Sequence, residues 1–105
     1  MIHVVALITA KPGRRADLLE RFLAVVPIVH AEDGCIEYRP LIDNHAGLDG
    51  ARVPAGDDTY VVIEKWASVE ALDAHAATDH MRQFGESVKD LIAGRVLHVL
   101  RDAAT

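Results

Sequence analysis

The residues best suited to chemistry lie between positions 64 and 80 of the chain. Glu64 and Trp66 alternate on one face of a predicted strand, and the helical segments that follow carry His75 and His80. An imidazole titrates near neutral pH and can act as a general base, whereas an indole provides a flat apolar wall. The sequence therefore predicts a site in which His75, with His80 as the second candidate, takes a proton beside Trp66.

Each of these residues also has a purely structural interpretation. Trp66 is the only tryptophan, and a buried tryptophan is by default part of a core. A carboxylate on an inward face needs a partner, so Glu64 is expected to pair with an arginine or a histidine at a subunit interface. In the structural interpretation, His75 and His80 are surface or capping residues. No cysteine or carboxylate completes a ligand set with them at the usual spacing, so no metal site is predicted.

Two tyrosines on the predicted strands extend the candidate site. Tyr60 shares its strand face with Glu64 and Trp66, and Tyr38 lies on the preceding strand. We expect both tyrosines to line a pocket for an aromatic ligand, although aromatic residues on strands are more often packing. The chain has no glycine-rich phosphate loop and no Cys-x-x-Cys motif, so no flavin, haem or metal cofactor is predicted.

The composition is that of one small domain spanning residues 1–105. Half of the residues are hydrophobic, which is high for a small monomer and favours a buried subunit interface. A net charge of -5 without a basic run argues against nucleic acid or an anionic membrane as a partner. Cys35 is the only cysteine, which excludes an intrachain disulfide and fits a reducing cytoplasm. The apolar N-terminus is typical of a strand rather than a signal peptide, and no run approaches the roughly 20 residues of a membrane span.

Hydrophobic periodicity predicts the elements that must position these side chains. The expected order is βαββαβ, with right-handed crossovers that give a ferredoxin-like α+β fold, a four-stranded antiparallel sheet with helices on one face. The first helix carries the apolar positions from Leu18 to Val29, and the second helical region begins at Ser68, breaks near Thr78 and ends at Gly94. The strands are predicted at 2–10, 35–44, 59–66 and 95–101.

One face of the predicted sheet is left without helices and carries a large apolar surface. Its expected members are Tyr38, Ile42, Tyr60, Val62 and Trp66. Two such sheets packed face to face would bury this surface, which predicts a homodimer with a barrel-like interior. The ligand pocket is expected between this open face and the helix that begins near Ser68.

Three groups of residues give the chain a family resemblance. They are Lys11-Pro12-Gly13 before the first helix, Glu32-Asp33-Gly34-Cys35 leading into the second strand, and Glu64-x-Trp66-x-Ser68 followed by Ala71-Leu72, His75, Thr78 and His80. With these residues the chain resembles the antibiotic biosynthesis monooxygenase family of dimeric α+β barrel proteins over nearly its whole length, and in particular its quinol monooxygenase-like members.

The resemblance implies a cofactor-independent monooxygenase, an oxidoreductase that oxidises a quinol or a polycyclic phenol with molecular oxygen. A phenol in a dry apolar pocket needs mainly a base that favours its phenolate, because the phenolate can reduce oxygen directly. In this interpretation His75 and His80 are catalytic, and the substrate-binding residues are Trp66, Tyr60, Glu64 and Tyr38.

Other functions within the superfamily stay open. They are a non-catalytic small-molecule-binding or stress-related barrel, an isomerase-type relative and a haem-degrading relative. The haem-degrading branch implies an asparagine on the first strand, and residues 2–10 contain none, which argues against that branch. The glycine-rich segment 45–58 is longer than the resemblance implies, and loops of that length are often functional or mobile. Neither its role nor the identity of the substrate follows from the sequence, because specificity depends on the shape of the pocket.

Overall fold

A four-stranded antiparallel sheet and three helices make up the fold, as the sequence predicts. The computed structural model describes residues 1–104. Along the chain the elements are β1 (Ile2–Ala10), α1 (Arg15–His30), β2 (Cys35–Leu41), β3 (Thr59–Trp66), α2 (Val69–Ala76), α3 (Asp79–Val88) and β4 (Ile92–Leu100). The strands lie in the order β2-β3-β1-β4, and none of the helices described is long and apolar enough to cross a membrane.

The helices cover the sheet face that carries the aromatic residues. Phe22 of α1 packs against Tyr38 and Tyr60, with ring centroids 5.4 and 5.1 Å away. Tyr38 pairs with Glu64 across the β2–β3 ladder, so Trp66, two residues beyond Glu64, lies on the same covered face. The prediction that Tyr38, Tyr60, Val62 and Trp66 lie on the open face is therefore wrong, and Ile42 lies beyond the end of β2.

Alternation along a strand shows which residues share a face but not which face the helices will cover. A buried aromatic side chain removes roughly 150–250 Å² from water, more than a valine or an isoleucine does. Placing the helices over the aromatic face therefore buries more apolar surface. The open face is left with smaller aliphatic residues, which are Val5, Leu7, Val61, Ile63 and Val96.

The strand β4 is the least buried strand of the sheet. Its pairing with β1 places Val96 and Leu100 on the open face, and Leu97 and Val99 on the side of the helices. All four side chains are about half exposed, because β4 lies at the edge of the sheet, beyond the helices. This edge strand is therefore apolar and exposed on both of its faces.

The C-terminal strand also begins earlier than predicted. Ile92 pairs with Ala10 after a shift of register, so β4 starts at Ile92 rather than at residue 95, and α3 ends at Val88. Gly94 consequently lies within the strand, opposite Thr9, and does not end a helix. The helical spacing of the apolar residues continues past Val88 in the sequence, which accounts for the error.

The strand β2 forms the other edge of the sheet and is shorter than predicted. It ends at Leu41, and its register against β3 shifts between Cys35 and Glu37. A bulge and a proline are both tolerated at an edge, so this irregularity and Pro40 agree with the position of β2 in the sheet.

A histidine side chain occupies part of this edge. Nε2 of His30, in the last turn of α1, lies 2.9 Å from the backbone carbonyl oxygen of Tyr38 and donates to it. An edge strand otherwise presents unpaired carbonyl groups to any further strand. The contact therefore ties the end of α1 to β2 and fills one position of the open ladder.

The glycine-rich connection between β2 and β3 is anchored by Asp43. Its carboxylate accepts from the backbone N–H groups of Ala55 and Gly56 at 2.8 and 3.0 Å, and these bonds hold the pKa of Asp43 below its ordinary value. Arg15 of α1 donates to the carbonyl oxygens of Gly56 and Thr59. The end of the connection is thus tied to both its beginning and α1.

Candidate functional site

The two candidate histidines lie on consecutive helices that are capped independently. The side-chain oxygen of Ser68 caps α2, as predicted, and that of Thr78 caps α3. The Thr78 hydroxyl also donates to the backbone carbonyl of His75 at 2.8 Å, which fixes the turn between the helices. This break in the helical path allows His75 and His80 to reach one acceptor from two separate helices.

That shared acceptor is the carboxylate of Glu32. Nδ1 of His75 lies 3.0 Å from Oε2 and 3.1 Å from Oε1, and Nε2 of His80 lies 2.7 Å from Oε2. The side chains of His75, Glu32 and His80 are 7%, 11% and 24% exposed. An ionised carboxylate only accepts hydrogen bonds, so both imidazoles donate to it.

Glu32 is held in place by the turn between α1 and β2. Gly34 has a φ of +83°, and its carbonyl accepts from the N–H of Ala67 at 2.8 Å. A Cβ atom at Gly34 would lie only 2.6 Å from the Cβ of Ala71 on α2. Only glycine fits both this conformation and this close approach. The tight contact brings the Glu32 carboxylate up to the helices that carry the histidines.

The imidazole of His75 packs against two aromatic rings. Its centroid lies 4.6 Å from that of Trp66, with the planes inclined by 36°, and 5.3 Å from that of Tyr38, with the planes inclined by 62°. Trp66 and Tyr38 also contact each other edge to face at 6.4 Å. A ring nitrogen backed by a carboxylate in such surroundings is suited to accept a proton from a bound aromatic compound.

The partner of Glu64 differs from the predicted one. Trp66 Nε1 donates to Glu64 Oε1 at 2.9 Å, so the carboxylate is paired within its own strand rather than with an arginine or histidine at an interface. Burial raises the pKa of the Glu64 carboxyl, while the Trp66 bond and the nearby His75 act in the opposite direction. A second carboxylate, that of Glu32, adds to the upward shift.

The two tyrosines occupy different positions relative to His75. Tyr38 is in direct ring contact with it, whereas Tyr60 packs on Phe22, deeper under α1. Burial raises the pKa of both phenols well above the ordinary value, and Glu64 adds to the shift at Tyr38. Both side chains therefore stay protonated and uncharged at neutral pH.

The surface near this cluster is grooved on the helix side. A groove of about 300 Å³ between α1 and α3 is lined by Val25, Ile28 and Phe84, and His80 lies along it. A second groove of about 390 Å³ follows β2 and includes Tyr38 and its neighbours. The predicted pocket on the open face is therefore misplaced, because the candidate residues lie under the helices.

The structure brings together His75, His80, Trp66, Tyr38 and Glu64, and it leaves Tyr60 one ring further away. Sequence reasoning missed Glu32 as a member of this cluster, because Glu32-Asp33-Gly34-Cys35 indicates only a turn that leads into the second strand. One signal was available in the sequence. Neither histidine has a carboxylate three or four residues away on its own helix, which indicates that a partner would have to come from another part of the chain. Within residues 1–104, no three histidine, cysteine or acidic side chains are arranged to hold a metal ion.

Comparisons with known proteins place this geometry in a family. Residues 1–87 match the antibiotic biosynthesis monooxygenase family. The chain is 35% identical over 103 residues to the probable quinol monooxygenase YgiN of Escherichia coli K12, which covers 96% of this chain and 97% of that protein. Among solved structures, PA3566 from Pseudomonas aeruginosa superimposes with a TM-score of 0.80 at 27% identity, over 96% of this chain and 92% of that one.

A further solved structure agrees in fold. Rv0793 from Mycobacterium tuberculosis gives a TM-score of 0.78 at 24% identity, over 99% of this chain and 98% of that one. The sequence match covers most of the chain and the YgiN match nearly all of it, and both agree with the resemblance carried by the motifs around Trp66 and His75. The chain belongs to the antibiotic biosynthesis monooxygenase family.

Proposed function

We propose that the protein is a cofactor-independent monooxygenase that oxidises a quinol or a polycyclic phenol with molecular oxygen. The observation that carries the proposal is the His75 imidazole, which lies against the rings of Trp66 and Tyr38 and is backed by the Glu32 carboxylate. The family and the name of the relative YgiN support the same class of reaction.

The proposed reaction needs a base and a dry site more than it needs a cofactor. His75 takes the proton of one hydroxyl group, and the resulting phenolate transfers electrons to oxygen. For a quinol, one oxygen atom enters the ring and the other leaves as water, so that quinol and oxygen give a hydroxyquinone and water. Aromatic walls raise the cost of an unpaired phenolate, which favours an imidazolium beside it.

Each predicted residue has a role in this proposal. His75 is the base, and Trp66 and Tyr38 hold the flat ring of the substrate. Glu64 fixes the indole of Trp66 through the 2.9 Å hydrogen bond. Tyr60 helps to hold Tyr38 in place, because the ring of Phe22 packs against both tyrosines.

The groove between α1 and α3 is the proposed entrance to the site. Its wall combines the apolar side chains of Val25, Ile28 and Phe84 with polar ones from Arg21, Gln83 and Ser87. His80, which shares the Glu32 carboxylate with His75, lies along it. His75 and Trp66 themselves are buried, so a substrate reaches them only if the groups that cover them move. His80 is then the first titratable group of the site that a quinol entering by this route meets.

We also propose that the active form is a homodimer located in the cytoplasm. The open sheet face and β4 together expose half-buried valine, leucine and isoleucine residues that no helix covers. A second copy of the chain would remove this surface from water. The cytoplasmic location is proposed because a lone half-buried thiol, that of Cys35, suits a reducing compartment.

Oxygen consumption with a reduced naphthoquinone tests the proposed reaction. The purified protein should accelerate oxygen uptake well above autoxidation, and labelled oxygen gas should place one labelled atom in the hydroxyquinone product. Protein treated with a strong chelator should keep its rate. Uptake no faster than autoxidation with quinols and polycyclic phenols alike would contradict the proposal.

One observation favours a second candidate function, a barrel that binds small molecules without turnover. Within residues 1–104, every buried side-chain nitrogen or oxygen has a hydrogen-bond partner, so the cluster is complete without a ligand. A binding protein should quench Trp66 fluorescence when a quinone is added, yet consume no oxygen with the quinol.

A further inference from the structure

Glu32 is the residue that connects the two candidate histidines. It lies in the turn after α1, 43 residues before His75 and 48 before His80. One of its oxygens, Oε2, is within hydrogen-bond distance of both imidazoles. The side chain is 11% exposed, so these two contacts are largely shielded from water.

We propose that Glu32 is a positioning residue that fixes the tautomers of His75 and His80 and thereby makes Nε2 of His75 the base nitrogen. A neutral imidazole has one N–H and one lone pair, and the hydrogen bond made by one nitrogen determines the role of the other. Because the carboxylate only accepts, it holds the proton of His75 on Nδ1 and that of His80 on Nε2. The catalytic consequence rests on the proposed function, whereas the tautomers themselves do not.

The charges around His75 agree with this role. The nearest ionisable groups from the packed elements are Glu32, Glu64, Tyr38 and His80, and the Cys35 thiol lies at the start of β2. Burial raises the pKa of Glu64 and Tyr38, and burial together with both carboxylates raises that of Cys35. Glu32 is the group in direct hydrogen-bond contact with Nδ1, so an imidazolium formed at His75 has its counter-charge 3.0 Å away.

Sharing one carboxylate also couples the two histidines. His80 is more exposed than His75 and binds the same oxygen at the shorter distance of 2.7 Å. Because both rings contact Oε2, the position and hydrogen bonding of His80 affect the same oxygen that faces His75. The role of Glu32 at His75 should therefore depend on His80 as well.

Glu32→Gln separates this role from a merely structural one. Glutamine keeps the size, but its amide nitrogen only donates. With the amide oxygen in the place of Oε2, the NH2 group lies in the place of Oε1, 3.1 Å from His75 Nδ1, where two donors would face each other. With the amide reversed, neither imidazole keeps its acceptor at Oε2. Long-range proton–nitrogen spectra of labelled protein report the tautomer of each histidine ring. We expect the unaltered protein to carry His75 with its proton on Nδ1 and His80 with its proton on Nε2. In Glu32→Gln at least one of the two rings should change.

Kinetics provide the second readout. Glu32→Gln should lower kcat for quinol oxidation by on the order of tenfold to a thousandfold, with little change in KM. The acidic limb of the kcat/KM profile should move to lower pH, because an amide stabilises the imidazolium less than a carboxylate does. Glu32→Asp keeps the negative charge. Its loss of kcat and its shift of the pH profile should therefore be smaller than those of Glu32→Gln. Asp33→Asn, which removes the exposed neighbouring carboxylate, should leave tautomers, kcat and pH profile unchanged.

Two results would overturn the inference. One is a His75 ring protonated on Nε2 in the unaltered protein. The other is a Glu32→Gln variant that stays folded, as near-ultraviolet circular dichroism would show, and keeps both tautomers and the pH profile. If the unaltered protein oxidises no quinol, the proposed function fails, and the spectra alone still decide the role of Glu32.

Discussion

Trp66 and His75 lie in ring contact, with centroids 4.6 Å apart, although one ends β3 and the other lies in the last turn of α2. The chain reverses direction at Ala67 and Ser68, so the imidazole returns over the indole that precedes it. This relationship joins the base and the aromatic wall of the proposed site in one short segment.

Replacement of His75 by glutamine should lower the rate of quinol oxidation by about 10²–10⁴-fold, the usual cost of removing a general base. Oxygen consumption at a fixed concentration of one quinol measures the loss. His45→Gln is the matched control, because His45 is exposed in the 3₁₀ turn of the β2–β3 connection and should leave the rate unchanged. A His75→Gln variant with full activity and the original pH profile would show that His75 is structural.

Trp66→Phe should destabilise the protein through Glu64 as well as through lost packing. The change removes the N–H that donates to Glu64 Oε1, and a buried polar group left without its partner costs about 1–3 kcal/mol. Urea denaturation of Trp66→Phe, Glu64→Leu and the double variant measures the coupling between the two residues, because each single change removes the bond. Strictly additive effects would mean that the bond contributes nothing to stability.

Glu64 should make the free energy of unfolding fall as the pH rises. Its pKa is raised in the folded state above the ordinary value of 4.5, so the folded protein binds this proton more tightly than the unfolded chain does. The stabilising contribution is complete below 4.5 and is lost as the pH rises through the folded-state pKa. Glu64→Gln keeps the acceptor for Trp66 without the charge, so it should be more stable than the unaltered protein at neutral pH.

Thermal melts at a series of pH values check this expectation. The advantage of Glu64→Gln should shrink as the pH falls towards 4.5, where the unaltered carboxyl is itself protonated in the folded state. Glu37→Gln provides the control for a general change in charge, because the carboxylate of Glu37 lies on the open face beside Lys65. A Glu64→Gln variant that is less stable at pH 7 would contradict the argument.

Gly34→Ala should be clearly more destabilising than Gly13→Ala. Both glycines have positive φ, +83° and +75°, so both substitutions carry the left-handed backbone penalty of roughly 1–2 kcal/mol. Only at Gly34 does the new Cβ meet another atom, the Cβ of Ala71 at 2.6 Å, while Gly13 has open space. Overpacking of this kind adds about 1–3 kcal/mol. Chemical denaturation of both variants measures the difference, and equal losses would refute it.

Val96→Glu should weaken the proposed dimer, because it places a charge on the open face of β4. The unaltered protein should sediment as a dimer at micromolar concentration, and the variant should shift towards monomer. Leu23→Glu is a matched control, since Leu23 is 55% exposed on α1 and Val96 is 53% exposed on β4. A stable folded monomer of the unaltered chain would contradict the dimer proposal.

Local features of the fold were predictable from the sequence, and long-range ones were not. The bounds of β1 and β3 agree with the prediction because period-two alternation ends at clear turn residues, and Ser68 caps α2 as its position suggested. Alternation along β3 also grouped Tyr60, Glu64 and Trp66 correctly. It could not show that the helices cover this group, because that choice depends on the total surface buried.

The candidate site was predictable only in part for the same reason. Trp66 and His75 are close in sequence, so their proximity follows from the strand and the helix that join them. Glu32 lies 43 residues from His75, and the contact depends on the approach of Gly34 to Ala71, which no local pattern indicates. The partner of Glu64 was missed because Trp66 was treated as an apolar wall rather than as a hydrogen-bond donor.

The contact between His30 and the Tyr38 carbonyl has a consequence for how copies of this chain can assemble. A sheet with two available edges can add protomers head to tail without limit, which produces filaments. Here the ladder is interrupted at the β2 edge by an imidazole that already uses the backbone acceptor. Any further strand that pairs along β2 would have to displace this imidazole, so the bond disfavours growth of the sheet through that edge.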